Sequence, residues 1–231
     1  DVYKRQALYN DNQVAWYEND GTPSDGGWTH HIVKDYSGNG IEDLFVADID
    51  DDGDLDIISA DGSGDKILYH INDGTPGNGA WTTNTVISGS DADGAMSVHV
   101  ADIDSDGDLD IVAALFMTSH VVWIENDGSP NNGGWTSHDV VSSSSSKESY
   151  DVTVADIDGD GDLDILEADQ TNKIYWYEND GTPDDGTWSM TKIKGGLTDA
   201  HVVATADLDN DGDIDVISGA YTVSYTHLRA H

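Results

Sequence analysis

The chain has 231 residues, carries 46 Asp and Glu against 9 Lys and Arg for a formal charge of −37, and contains no Cys. A charge this negative repels phosphate backbones and anionic lipid surfaces, which sets aside nucleic-acid binding and membrane insertion and favours cations as partners. No stretch approaches the roughly 18 apolar residues of a membrane-spanning helix, the lack of Cys removes disulfide scaffolds and thiolate metal sites, and 7 Trp with 10 Tyr argue against disorder.

In chain order, QVAWYEN, an NDG turn and WTHHIV read as two short strands near the start. A first unit follows: FVADI, an Asp-rich loop, the apolar tail LDIISA, then KILYHIN, another NDG turn and a segment that opens at Trp81. VHVADI, LDIVAAL, HVVWIEN and WTSHDVV repeat the plan, VTVADI and KIYWYEN repeat it again, and VATADL begins it a fourth time. Short runs rich in Val, Ile, Tyr and Trp, separated by Asn-Asp-Gly turns, are strands, and no segment keeps a helical period.

Three landmarks hold the period. DIDDDGDLD, DIDSDGDLD, DIDGDGDLD and DLDNDGDID begin at Asp48, Asp102, Asp156 and Asp207. The NDG turn ends at Gly21, Gly74, Gly128 and Gly181, and a Trp follows at Trp28, Trp81, Trp135 and Trp188. The other three Trp, at 16, 123 and 176, share one repeat place with Tyr69. Four strands per unit of about 53 residues in tandem is the signature of β-propeller blades. The expected fold is all-β, with four-stranded antiparallel blades forming an open portion of a larger ring. Closure into four blades, by pairing about 202–220 with about 14–33, is the alternative.

The expected organisation is a partial blade at 7–33, units at about 41–87, 95–141 and 149–194, and a partial blade at 201–223. The end strings DVYKRQ (1–6) and SYTHLRAH (224–231) fit no repeat position and resemble translated adapter sequence at the ends of metagenomic reads. They are expected to be foreign to the fold, and the chain to be a fragment.

A D-x-D-x-D-G-x-x-D loop offers hard oxygen donors at positions 1, 3, 5 and 9 and a backbone carbonyl at position 7, with its Gly permitting a tight turn. The ligand positions are Asp48, Asp50, Asp52, Asp54 and Asp56 in the first copy and Asp102, Asp104, Asp106, Asp108 and Asp110 in the second. Asp156, Asp158, Asp160, Asp162 and Asp164 supply the third, and Asp207, Asp209, Asp211, Asp213 and Asp215 the fourth. Clustered carboxylates repel unless a cation neutralises them. Ca2+, up to four ions, fits best, since Mg2+ demands a stricter octahedron and zinc or copper would want His or Cys. An EF-hand is set aside because it needs Glu at the twelfth position, which only the third copy has at Glu167 while the others have Ser59, Ala113 and Ser218, and because both flanks read as strands.

These motifs, ADIDDDGDLDI, ADIDSDGDLDI, ADIDGDGDLDI and ADLDNDGDIDV together with WYENDG, resemble the FG-GAP or VCBS-type repeats of bacterial surface and secreted proteins, related to integrin alpha-chain propellers. The resemblance runs from about Ala7 to about Val223. It implies calcium inside each blade, an extracellular or cell-surface location, and adhesion or ligand binding. Related propellers usually have seven blades, which four units cannot supply.

Up-and-down strand order puts the Asp-rich and NDG loops on one face and the irregular loops on the other, where a protein or carbohydrate ligand is expected. The recurrent Trp and Tyr read as packing between blades rather than sugar platforms. His30, His31, His70, His99, His120, His138 and His201 read as structural residues at no shared repeat position, and Ser142 to Ser146 as a flexible loop. A calcium-dependent polysaccharide lyase is the alternative function, but it needs a base and an anion-neutralising group at one site, and the body offers only Lys34, Lys66, Lys147, Lys173, Lys192 and Lys194. No catalytic residue is assigned.

Overall fold

The structure is a computed structural model that describes residues 13–22, 24, 26–36, 40–141, 148–196 and 199–220. The two end strings, and the Ser142 to Ser146 run with Lys147, lie outside the described residues. Among the described residues the chain is all β, with sixteen strands, four short 3-10 turns and no α-helix.

Three complete four-stranded sheets carry the repeat. The first holds β3 (Ile41–Ala47), β4 (Asp56–Asp61), β5 (Lys66–Ile71) and β6 (Thr82–Ser88). The second holds β7 (Ala95–Ala101), β8 (Asp110–Leu115), β9 (His120–Asn126) and β10 (Trp135–Val141), and the third β11 (Ser149–Ala155), β12 (Asp164–Asp169), β13 (Lys173–Glu178) and β14 (Ser189–Gly195). Strands follow one another in chain order and pair antiparallel, as short connections require. Two-stranded sheets flank them: β1 (Gln13–Asn19) with β2 (Trp28–Asp35), and β15 (Ala200–Ala206) with β16 (Asp215–Ala220). These two remain separate sheets, so the shared blade of the four-bladed alternative is not formed. The arrangement is an incomplete propeller.

Position within the blade explains the sequence pattern. β4, β8 and β12 are buried at every residue, since they are covered on both faces, and so they read as continuous apolar runs. β14 lies at the rim and is exposed throughout. Each blade junction has its own apolar cluster, and recurrent aromatics meet there. Trp135 of the second blade packs edge-on against Tyr69 of the first, with ring centroids 6.3 Å apart. Trp188 joins the cluster around Trp123, and Trp81 the one that holds Trp16. Tyr69 and Trp123 are completely buried. The aromatic repeat positions are therefore blade-to-blade packing.

A bulge near the start of each first strand, between Ile41 and Asp43, Ala95 and Ser97, Ser149 and Asp151, and Ala200 and Val202, interrupts pairing at one repeat place. The residues after it join neighbouring blades. Asp43 accepts from Val98 N at 3.0 Å, the single hydroxyl proton of Ser97 is shared between Asp43 at 3.1 Å and Asp151 at 2.8 Å, and Asp151 accepts from Val203 N at 2.8 Å. Burial raises the Asp151 carboxyl above its ordinary range, and the Asp43 charge adds to this.

Candidate metal centres

Each Asp-rich loop leaves a first strand and enters a second, so its ends are held side by side by the antiparallel ladder between them. Two residues turn it. The Gly at position 6 has φ of +93° to +103° at Gly53, Gly107, Gly161 and Gly212. Position 4 is also left-handed, at Asp51, Ser105, Gly159 and Asn210 with φ from 55° to 76°. Position 4, the one that differs in all four loops, thus holds Asp, Gly or Asn, which tolerate this conformation, in three of them and Ser105 in the other.

The turn gathers carboxylates. In every loop one oxygen from each of positions 1, 3 and 9 lies within 4.8 Å of the others: Asp48, Asp50 and Asp56; Asp102, Asp104 and Asp110; Asp156, Asp158 and Asp164; Asp207, Asp209 and Asp215. The position 1 carboxylate is held by the Gly amide, as with Asp48 and Gly53 N at 2.9 Å or Asp207 and Gly212 N at 3.1 Å. Asp52, Asp106, Asp160 and Asp211, at position 5, are exposed and accept the N–H of position 7 at 2.8–3.0 Å. They stand outside the convergent triads. Position 7 side chains point elsewhere: Asp54, Asp108 and Asp162 lie against Gly74, Gly128 and Gly181 of the NDG turns.

Position 9 is the anchor. Asp56, Asp110 and Asp164 are completely buried. Each accepts the backbone N–H of position 2, from Ile49, Ile103 or Ile157, with one oxygen, and that of the NDG Asn on the third strand with the other. Tyr69 adds a hydroxyl to Asp56 at 2.8 Å. Burial lifts Asp56 to about 6 and Asp110 to about 7 despite these donors, with the Asp50 and Asp104 charges adding to the rise. Asp164 moves the same way. Asp104 is raised too, by burial first and then by Asp106, Asp102 and Glu125.

Whether a cation suits these loops is answered by two oxygens. Asp50 Oδ1 and Asp102 Oδ1 are buried and have no hydrogen-bond partner. A buried carboxylate oxygen without a donor is costly unless a cation supplies the missing interaction. The donor set is all oxygen, which suits a hard divalent ion.

A profile of the FG-GAP-like repeat matches residues 48–113, 114–167 and 166–218. The chain belongs to the FG-GAP-like repeat family. Among solved structures, this FG-GAP-like chain is similar to an Agrocybe aegerita lectin that recognises non-reducing terminal N-acetylglucosamine, with TM-score 0.57 and 20% identity over 94% of this chain and 60% of that one. It also matches the V. cholerae biofilm matrix protein Bap1, with TM-score 0.48 and 16% identity over 87% of this chain and 30% of that one. A third match is BBS1N in complex with ARL6DN, with TM-score 0.45 and 12% identity over 78% of this chain and 54% of that one. The chain spans less than two thirds of the length of each. No curated protein sequence matches it.

Neighbouring FG-GAP-like repeats grip one another at the loops. Asn131, from the 3-10 turn of the second blade, donates to Asp50 Oδ2 of the first at 2.7 Å, and Asn179 of the third blade donates to the Ile103 carbonyl of the second at 3.2 Å. One feature went unread in the sequence. His31 and His138 do share a repeat place, each three residues after its Trp, and each pairs with the Glu before the NDG Asn: Glu18 at 2.9 Å and Glu125 at 2.8 Å. Aligning positions relative to Trp28 and Trp135 would have found them.

Proposed function

We propose that the chain is a calcium-stabilised propeller module of an extracellular or cell-surface protein, in which one Ca2+ per Asp-rich loop fixes blade geometry and the irregular loops of the opposite face bind a protein or carbohydrate. The observation that carries the metal reading is the pair of buried, donorless oxygens on Asp50 and Asp102, each in a triad of carboxylates. Magnesium would have to shed much of its water to enter, and zinc would find no nitrogen or sulfur donor. The acidic triads, the left-handed residues at positions 4 and 6, and membership of the FG-GAP-like family support calcium.

Extracellular modules typically hold calcium with dissociation constants of about 0.1 to 1 mM, so the loops would fill outside cells and empty inside them. That dependence and the family support an exported location. Among the described residues no helix is long and apolar enough to cross a membrane.

Equilibrium dialysis against radioactive calcium tests the metal reading. Four ions per chain with millimolar or tighter affinity is the expected result, and no binding above that of an unfolded control would overturn it. A glycan array in calcium, repeated in EGTA, tests the ligand: calcium-dependent retention of a glycan supports a lectin role, while uniformly blank spots leave a protein ligand as the reading.

A further inference from the structure

We propose that Glu125, His138 and Asp184 form a separate site for a zinc-class divalent ion at the junction of the second and third blades. One ligand atom from each lies within 4.8 Å of the others. The donor chemistry differs from that of the Asp-rich loops: an imidazole joins two carboxylates, and nitrogen in the set favours Zn2+ over Ca2+.

The three residues come from three elements. Glu125 is on β9, His138 on β10, and Asp184 on the 3-10 turn Pro183–Asp185 of the next blade. The imidazole is held in place before any ion arrives, because its ring stacks on Trp123, with centroids 4.4 Å apart and planes 21° apart, and its Nε2 meets Glu125 Oε2 at 2.8 Å. His138 and Glu125 are partly buried, while Asp184 is exposed and free to swing its carboxylate inward. A tetrahedral zinc shell sets its donors about 3.3 Å apart, so the site closes by small side-chain movements and completes its shell with water.

The chain contains its own control. Where the two-stranded sheet β1–β2 meets the first blade, Glu18 and His31 reproduce the pair, and His31 stacks on Trp16 with centroids 4.3 Å apart. Gly77 stands in the repeat place of Asp184, and a Cβ built there would sit 3.5 Å from His31 Cε1. That junction has two donors and lacks the third. An Asp at Gly77, whose φ is not left-handed, would supply it at ordinary contact distance.

The test is isothermal titration of the full chain with ZnCl2 in excess CaCl2, which occupies the Asp-rich loops. One zinc per chain is expected. His138→Ala and Asp184→Asn should each weaken binding about tenfold or more, and Gly77→Asp should raise the stoichiometry to two. Zinc binding that is absent in excess calcium, or unchanged in either loss variant, would overturn the site. Should His138→Ala fail to fold, Asp184→Asn, on an exposed turn, and Gly77→Asp decide the matter: unchanged affinity in the first and unchanged stoichiometry in the second would overturn it.

Discussion

The Asp56 carboxylate accepts the backbone N–H of Asn72 at 2.8 Å, and Asp110 with Asn126 and Asp164 with Asn179 repeat this contact at the same distance. The ninth loop residue thus stands in the carboxylate triad and also ties the loop to the third strand. An ion bound in the loop would therefore act on the whole blade.

That double role separates two substitutions in one loop. Asp110→Ala strands two buried N–H groups, of Ile103 and Asn126, and should cost about 2–4 kcal/mol in saturating calcium. Asp106→Ala removes an exposed acceptor for Asp108 N and should cost about 1 kcal/mol or less. Urea denaturation of both variants checks the order, and an equal or larger loss from Asp106→Ala would contradict it.

Stability without metal should fall as pH rises. Burial raises Asp56 to about 6 and Asp110 to about 7, and Asp164 in the same direction. A carboxyl raised in the folded state binds more protons folded than unfolded, so its contribution is complete below about pH 4 and is lost as pH climbs through the folded values. Bound calcium would take over the neutralising role of the protons. Urea midpoints in EGTA should drop between pH 4 and 7, and calcium should shrink the drop; a midpoint in EGTA that rises over this window would refute the assignment.

The NDG turn can be probed from its glycine. Gly128 has φ of 79°, and a Cβ there would lie 2.8 Å from an Asp108 carboxylate oxygen, whereas Gly133 has φ of 84° with nothing within 4 Å. Both Ala variants bear the left-handed backbone cost of about 1 kcal/mol. Gly128→Ala should be the more damaging and should also weaken calcium binding, because it displaces a loop residue. Equal melting shifts for the pair would show that the contact is unimportant.

Much of this was legible beforehand. The nonapeptide, the NDG turns and the Trp positions recur at one spacing, which is enough to place strands, turns and the acidic loops. What the sequence concealed is geometric. Position 5 carries an Asp in every copy, yet Asp52, Asp106, Asp160 and Asp211 turn to a backbone amide while positions 1, 3 and 9 converge. Composition cannot tell those roles apart, since both use the same side chain. The Glu125, His138 and Asp184 cluster was hidden because Asp184 arrives from the next blade, a neighbour in space only.

The recurrent aromatics offer a further check. Trp135 fills the first junction against Tyr69, so Trp135→Ala should cost about 2–4 kcal/mol by opening a cavity between blades. A sugar platform would instead lose ligand binding at unchanged stability. Chemical denaturation distinguishes the two.

Thermal unfolding in millimolar calcium, in EGTA and in millimolar magnesium tests the central claim most directly. Calcium should raise the midpoint by many degrees over EGTA, and magnesium should recover little of the difference, because an ion in each loop would neutralise the carboxylates that converge between the first and second strands of its blade. A folded protein whose midpoint is the same in all three conditions would contradict the account and leave the loops as solvated acidic turns.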